Sequence, residues 1–305
     1  MKKWVVAGIG VAALLAAAGI AAGWWMVKRP LDVWAWGTRQ ALTGAGLQRQ
    51  VVQTPAGPQT VFTGGSGPTL LLLHGAGDQA GTWAAVVPVL VKNYTLVVPD
   101  LAGHGDSAPA AGPIETSAIY GALEAVLAKH SGGRPLTIVG NSLGAWMAMV
   151  LAARHPEQVA RVVAVNGGAL KHINPEVNLL PRSREEARRT MARLRDAGSP
   201  AIPDNVLDDV VRQAKVGPLA RFAATAATME PWVMTEDQLR GMKVPVRLIW
   251  GASDGLMPIA YAKRLEAALP DVRLVTIDRC GHVPQQEAPG RFLAALKEAL
   301  GEPGT

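Results

Sequence analysis

The sequence has little cysteine, little charge and no acidic residue near its start. Cys280 is the only cysteine among 305 residues, which excludes an intrachain disulfide and says little about the compartment. Charged residues make up only 18% of the chain and hydrophobic residues 49%. This balance predicts a large buried core and is typical of a chain that also has a membrane segment.

The positive charge is concentrated at the start of the chain. The formal net charge is +6 and the pI is about 9.7. The first 29 residues contain no acid but four bases: Lys2, Lys3, Lys28 and Arg29. The remainder carries 26 basic against 24 acidic residues. Such a balance excludes a basic domain that binds nucleic acid, and no nucleic-acid partner is predicted.

An uncharged run of 24 residues extends from Trp4 to Val27. As a helix it would be about 36 Å long, enough to cross a bilayer core of about 30 Å. Residues 1–29 are therefore predicted to form an N-terminal transmembrane helix, a single-pass anchor that places the protein at a membrane, with the domain that follows it outside the cytoplasm. A cleaved signal peptide is the alternative, although the run exceeds the usual apolar core of such peptides.

Short apolar runs bounded by turn residues predict strands that alternate with helices. Residues 47–53 and 59–63 read as a strand pair, and Thr69–Leu73 as a strand buried on both faces. Residues 81–91 are expected to form one helix. Strand signals disappear between residues 167 and 241, where two sequences that fit capping boxes predict short helices. The fold class is α/β, with a mostly parallel sheet and a helical insertion.

This pattern predicts three parts besides the anchor. Residues 30–46 are expected to form a linker or a segment that lies on the surface, with Trp34 and Trp36 either at a membrane interface or packed on the domain. Residues 47–166 and 242–305 form the α/β core, and residues 167–241 form a cap or lid. The arginine-rich first helix of the cap either faces anionic headgroups or is a solvated surface.

The segment Gly140-Asn141-Ser142-Leu143-Gly144 follows an apolar strand and precedes a helix. This context indicates a nucleophilic serine at a tight, strained turn. The N–H of Leu143 would then point at the oxygen that becomes negative, close to a helix N-terminus. The alternative is a glycine-rich turn whose serine caps the helix.

Asp254 and His282 also follow predicted strands, in the chain order serine, acid, histidine. Because the ends of parallel strands share one edge of a sheet, these three side chains are expected to meet. His282 would take the proton of Ser142, and Asp254 would orient the imidazole. The N–H of Ala76 is the candidate second donor of the oxyanion hole.

Other polar residues at strand ends are expected to be structural. His74 lies directly after Thr69–Leu73, where a histidine that holds the loop is favoured over a catalytic one. Asp100, His104 and Asp106 lie in a glycine-rich loop and are expected to shape the rim of the site through hydrogen bonds.

Five motifs in this order resemble the α/β-hydrolase family, and the resemblance covers residues 47–300. They are HGAG at 74–77, PDLAGHGDS at 99–107, GNSLG at 140–144, GASDGLMP at 251–258 and CGHVP at 280–284. The subgroup it resembles holds bacterial esterases and membrane hydrolases similar to monoacylglycerol lipases. The resemblance implies the triad Ser142, Asp254 and His282, an oxyanion hole from Ala76 and Leu143, and a variable cap after Val165.

The implied chemistry is hydrolysis of a carboxylic ester through an acyl-enzyme, without a metal or cofactor. The expected partner is a small ester, such as a lipid-derived monoacylglycerol, with Leu143, Met257 and Val283 forming an apolar acyl pocket. Alternatives are a carbon–carbon bond hydrolase or perhydrolase of the same fold, and a non-catalytic membrane-tethered binding protein. The absence of a G-P-G loop after His74 argues against the carbon–carbon hydrolases, and the oligomeric state is left open.

Overall fold

Eight strands form the centre of the molecule. The computed structural model describes Gly19 and residues 23–301. The strands are β1 (Gln48–Thr54), β2 (Gly57–Gly65), β3 (Thr69–Leu73), β4 (Thr95–Pro99), β5 (Leu136–Asn141), β6 (Val159–Val165), β7 (Val246–Gly251) and β8 (Val272–Ile277).

The strands form one mostly parallel sheet in the order β1-β2-β4-β3-β5-β6-β7-β8. β1 pairs with β2 as a hairpin, and β2 pairs antiparallel with β4. All remaining neighbours are parallel. The prediction of an α/β fold with a mostly parallel sheet is therefore confirmed, including the strand pair near residue 47. The carboxyl ends of β5 to β8 consequently lie along one edge of the sheet.

The central strands are apolar on both faces because the sheet separates two hydrophobic layers. Leu71 and Leu73 of β3 belong to the layer on one face, and Leu70 and Leu72 to the layer on the other. Alternate residues of a strand point to opposite faces, so a continuous apolar run is what a strand covered on both sides requires.

Eleven helices accompany the strands in the part of the chain that the structure describes from residue 30 onward. They are α1 (Pro30–Gly44), α2 (Val87–Leu90), α3 (Thr116–Ser131), α4 (Leu143–Arg154), α5 (Arg184–Leu194), α6 (Asp204–Val216), α7 (Pro218–Ala223), α8 (Glu236–Arg240), α9 (Ile259–Ala268), α10 (Pro284–Glu287) and α11 (Pro289–Leu300).

Helices α5 to α8 lie in the helical insertion, residues 167–241, between β6 and β7. The two predicted capping sequences begin helices there. Ser183 accepts a hydrogen bond from the N–H of Glu186 at the start of α5. Thr235 and Gln238 form a reciprocal capping box at the start of α8. Pro203 stands just before α6 and Pro218 at the first position of α7, where a missing N–H costs nothing.

Two segments differ in form from the prediction. Residues 81–91 were expected to be one helix but form a 3₁₀ turn, Ala80–Trp83, and the short helix α2. The segment predicted as a linker or as lying on the surface, residues 30–46, contains α1, a helix of 15 residues that begins at Pro30. Leu42 of α1 is fully buried in the layer that also contains Trp83. This burial holds α1 against the core.

The prediction of a single-pass N-terminal membrane anchor is wrong on the evidence of the described residues, and so is the localisation based on it. Among Gly19 and residues 23–301, no helix is both long enough and apolar enough to cross a membrane. Most of the predicted segment, residues 1–18 and 20–22, lies outside the described residues. Its described end, residues 23–28, is helical.

Candidate active site

Ser142 occupies a strained turn between β5 and α4. Its φ is 53° and its ψ is −114°, a positive φ that a residue with a side chain rarely adopts. The turn is held by the N–H of Ser142, which donates to the carbonyl of Val165 at 3.0 Å. Strain of this kind persists where the surrounding structure imposes it, which is common at catalytic residues.

Close backbone packing explains the two glycines of the G-x-S-x-G motif. A Cβ on Gly140 would lie 2.3 Å from the carbonyl of Gly144, and one on Gly144 would lie 2.3 Å from the carbonyl oxygen of Leu73. Both distances are far below van der Waals contact, so β3, β5 and α4 approach this closely only around glycine. The two glycines of the motif are therefore required by packing.

His282 and Asp254 form a buried pair at the ends of β8 and β7. Nδ1 of His282 lies 2.7 Å from Oδ2 of Asp254. The side chain of Asp254 is fully buried, and that of His282 is 8% exposed. The contact directs the other ring nitrogen of His282, Nε2, away from Asp254, where it is available to act as a base.

Asp254 accepts four hydrogen bonds, counting the one from His282. The backbone N–H groups of Leu256 and Met257 donate to Oδ1 at 2.9 and 3.0 Å. The side-chain amide of Asn166 donates to Oδ2 at 2.6 Å. Sequence reasoning missed Asn166, although it follows β6 directly, at the same edge of the sheet as the other site residues.

Backbone contacts from the helical insertion hold the loops that carry the acid and the histidine. The N–H of His282 donates to the carbonyl of Leu194 at 2.7 Å, and the N–H of Gly255 donates to that of Arg193 at 2.8 Å. Both acceptors lie at the end of α5. These contacts join residues far apart in sequence through backbone atoms, so no residue type could have predicted them.

A cavity of about 440 Å³ brings together most of the predicted site residues. Ser142, His282, Ala76 and Val283 line it. Leu143 is 5% exposed and does not line it, but its N–H is the first of α4 and has no acceptor within the helix. Met257 does not line the cavity either: its carbonyl accepts from the indole of Trp250 at 2.7 Å, and its neighbour Leu256 lines the cavity instead.

Asp78 connects the loop after β3 to the helix that follows His282. Its Oδ2 accepts a hydrogen bond from the side chain of Gln286 at 3.1 Å, and the same amide donates to the hydroxyl of Thr82 at 2.6 Å. Burial raises the pKa of Asp78 to about 6, while the hydrogen bond from Thr82 opposes the rise. The loop that carries Ala76 is thereby fixed relative to His282.

His74 and Asp100 are structural, as the sequence predicts. Nε2 of His74 accepts from the N–H of Leu101 at 2.9 Å, and its Nδ1 contacts the carbonyl of Gly75 at 2.8 Å. Asp100 accepts from the N–H groups of Ala80 and Asp106 at 2.7 and 2.9 Å. Burial lowers the pKa of His74 and raises that of Asp100. Both side chains therefore secure loops beneath the cavity.

Protonation of His104 is expected to lower the stability of the fold in acid. Its ring is fully buried, and its Nε2 has no hydrogen-bond partner among the described residues. Burial lowers its pKa from 6.5 to about 4. Between these two values the unfolded chain binds the extra proton, so stability is lost as the pH falls. We expect His104 to contribute about 3 kcal/mol to the fall in unfolding free energy from pH 6.5 to pH 4.

Urea unfolding of the wild type and of His104→Gln over this pH range measures the contribution. The variant should lose about 3 kcal/mol less than the wild type across the range, whatever its stability at neutral pH. Parallel pH profiles for the two proteins would show that His104 does not titrate differently on folding.

The fold and the site define a class. Residues 70–296 match the alpha/beta hydrolase family, and the chain belongs to this family. The resemblance to this family that the sequence motifs indicate is thereby confirmed. The matched range contains the serine turn, Asp254 and His282.

Individual relatives are esterases and other hydrolases. The chain is 34% identical to a pimeloyl-[acyl-carrier protein] methyl ester esterase of Aromatoleum aromaticum, over 71% of this chain and 92% of that protein. It is 28% identical to a 2-hydroxy-6-oxononadienedioate/2-hydroxy-6-oxononatrienedioate hydrolase of Cupriavidus pinatubonensis, over 86% of this chain and 98% of that protein. A solved structure of a membrane phospholipase A, described as a bacterial virulence factor, is 26% identical. The match covers 98% of this chain and 99% of the phospholipase chain, with a TM-score of 0.77.

These findings confirm that the protein is an enzyme of the hydrolase class. Its homologues and structural neighbours are esterases, lipases and hydrolases of the alpha/beta hydrolase fold.

Proposed function

We propose that this protein is a serine hydrolase that cleaves carboxylic esters through Ser142, His282 and Asp254. The observation that carries the proposal is the buried contact of 2.7 Å between His282 and Asp254, in a cavity that Ser142 also lines. A buried, oriented imidazole beside a serine on a strained turn is the arrangement that nucleophilic catalysis requires.

In the proposed reaction, Oγ of Ser142 attacks the ester carbonyl while Nε2 of His282 takes its proton. Asp254 holds the ring and stabilises the imidazolium. The N–H groups of Leu143 and Ala76 stabilise the tetrahedral oxyanion, each contributing about 3 kcal/mol. His282 then protonates the departing alcohol, and an acyl group remains on Ser142. Water, activated by the same imidazole, releases the acid.

The proposed substrate is an ester with an apolar chain, such as a lipid-derived ester. Leucine, methionine and valine side chains from the helical insertion line the cavity, together with Val283. Similarity to a phospholipase A and to a methyl ester esterase supports an ester substrate of this kind. We further propose that the helical insertion acts as a cap that encloses the chain of the substrate.

Hydrolysis of p-nitrophenyl esters from acetate to palmitate tests the proposal. A cavity of about 440 Å³ is at the small end of ligand sites, so we expect chains of intermediate length to be preferred over acetate and palmitate. A monoacylglycerol of the preferred length should also be cleaved. The Ser142→Ala protein gives the background rate. If the wild type cleaves none of the esters faster than this background, the proposal is contradicted.

A carbon–carbon bond hydrolase is the second candidate. The similarity to the Cupriavidus hydrolase over 98% of that protein favours it. The loop Gly75-Ala76-Gly77-Asp78, which lacks a G-P-G sequence, argues against it. Loss of the visible absorbance of a 2-hydroxy-6-oxo-dienoate, dependent on Ser142, would favour this reaction if the esters are not cleaved.

A further inference from the structure

Helix α1 lies outside the part of the chain that matches the family, yet it forms one side of the cavity. The family match begins at residue 70, whereas α1 ends at Gly44. Leu31, Trp34 and Ala35 of α1 line the cavity that Ser142 and His282 also line. A segment that precedes the matched range therefore contributes to the surface that a substrate meets.

The first turn of α1 is joined to α6 of the helical insertion by polar contacts. Asp32 accepts hydrogen bonds from Arg212 and Gln213, both at 3.0 Å. The N–H of Leu31 donates to Asp209 at 2.9 Å. Asp209 is itself buried and accepts from Arg212 at 2.5 Å. Three hydrogen bonds thus fix the start of α1 against the insertion.

The second half of α1 is joined to the loop that carries Ala76. The side chain of Gln79 donates to the hydroxyl of Thr38 at 3.1 Å. Farther along α1, Arg39 lies 2.9 Å from Asp106 in an ion pair. Because α1 is held at both ends, the residues between Asp32 and Thr38 keep a fixed position at the cavity.

Two tryptophans of α1 differ in what they contact. Trp34 is 40% exposed and lines the cavity. Trp36 is 65% exposed and does not line it. Residues two apart in a helix point in nearly opposite directions, which explains the difference. Of these two tryptophans, only Trp34 presents its apolar indole, which is partly open to solvent, to the cavity.

We propose that α1 is a specificity-determining wall of the substrate cavity and that the indole of Trp34 contacts the apolar chain of the substrate. The inference rests on the proposed ester hydrolysis and assigns the preference for intermediate over short chains to a segment outside the family match. Short esters, whose chains end before the wall, do not need this contact. Trp34 therefore affects binding of the chain and leaves the reacting bond unchanged.

The test compares Trp34→Ala, Trp34→Phe and Trp36→Ala in the full chain. Burial of one methylene changes affinity about fourfold, so loss of contact with between one and two methylenes changes it roughly tenfold. We expect kcat/KM for p-nitrophenyl decanoate, divided by that for the butyrate, to fall roughly tenfold in Trp34→Ala. The fall should arise from KM. Trp36→Ala should keep the wild-type ratio, and Trp34→Phe should keep most of it.

Binding of decanoic acid, measured by calorimetry in the Ser142→Ala background, gives a second readout that needs no catalysis. We expect Trp34→Ala to weaken it roughly tenfold and Trp36→Ala to leave it unchanged. If the esters are not cleaved but binding depends on Trp34, the proposed function fails and the assignment of α1 stands. Equal ratios and equal binding in the two alanine variants would overturn the assignment. If Trp34→Ala does not fold, Trp34→Val, which also removes the indole, takes its place in both measurements.

Discussion

Replacing Ser142 with alanine is expected to lower kcat for ester hydrolysis on the order of 10⁶-fold, because the nucleophile, base and acid of the proposed triad act as one unit. The oxyanion donors and the cavity remain in the variant, so a small rate above that of water persists and KM changes little. Steady-state and single-turnover kinetics with the preferred p-nitrophenyl ester measure the loss.

Ser253→Ala is the matched control for this substitution. Ser253 also follows a strand of the sheet, but its hydroxyl donates to Asp196 at 2.5 Å and it does not line the cavity. The control should keep kcat within about twofold of the wild type. A Ser142→Ala protein that keeps more than a hundredth of the wild-type kcat would show that another group is the nucleophile.

Replacing Asp254 with asparagine should lower kcat about 10⁴-fold while the protein stays folded. Two backbone N–H groups donate to Oδ1, so the amide oxygen of the variant keeps that position. Its NH₂ group is then directed at His282 and at the donating amide of Asn166. The imidazole must accept at Nδ1, which places its proton on Nε2 and prevents it from acting as the base.

Asp278→Asn is the control, because Asp278 lies in the loop after β8 but is exposed. Its kcat should equal that of the wild type. If Asp254→Asn keeps more than a tenth of the wild-type kcat, the contact between Asp254 and His282 does not orient the base. Thermal melting of both variants checks that neither loses the fold.

The sheet was predictable because its interior strands are short apolar runs between turn residues. Thr69–Leu73 and Leu136–Asn141 have the pattern of strands that are covered on both faces, and the structure places them side by side. The prediction of one helix at residues 81–91 was wrong because Pro88 and the packing of Trp83 favour a 3₁₀ turn and a short helix. Local propensity does not include such packing.

The site was predictable as far as it depends on strand ends. Asp254 and His282 follow β7 and β8, and parallel pairing brings them into contact. The backbone contacts that hold Asp254 and His282 in place could not be predicted in the same way. The carbonyl of Leu194, which holds His282, is a backbone atom in the helical insertion. Nothing about leucine as a residue type indicates that role.

Helix α1 was the least predictable element. Its contacts join Asp32 to Arg212 and Gln213, which are about 180 residues away in sequence. The apolar run before it suggested a membrane anchor because hydropathy patterns score transfer into lipid and take no account of the packing of the residues that follow. Trp34 consequently had two interpretations, and its place at the cavity emerged only from the fold.

Mass spectrometry of the protein after treatment with a fluorophosphonate tests the central claim most directly, because the reagent bonds to a serine only when that serine is activated. Our account predicts one adduct, on the peptide that contains Ser142, and a slower reaction in Asp254→Asn. A folded protein that carries no adduct, or an adduct on another serine, would contradict it.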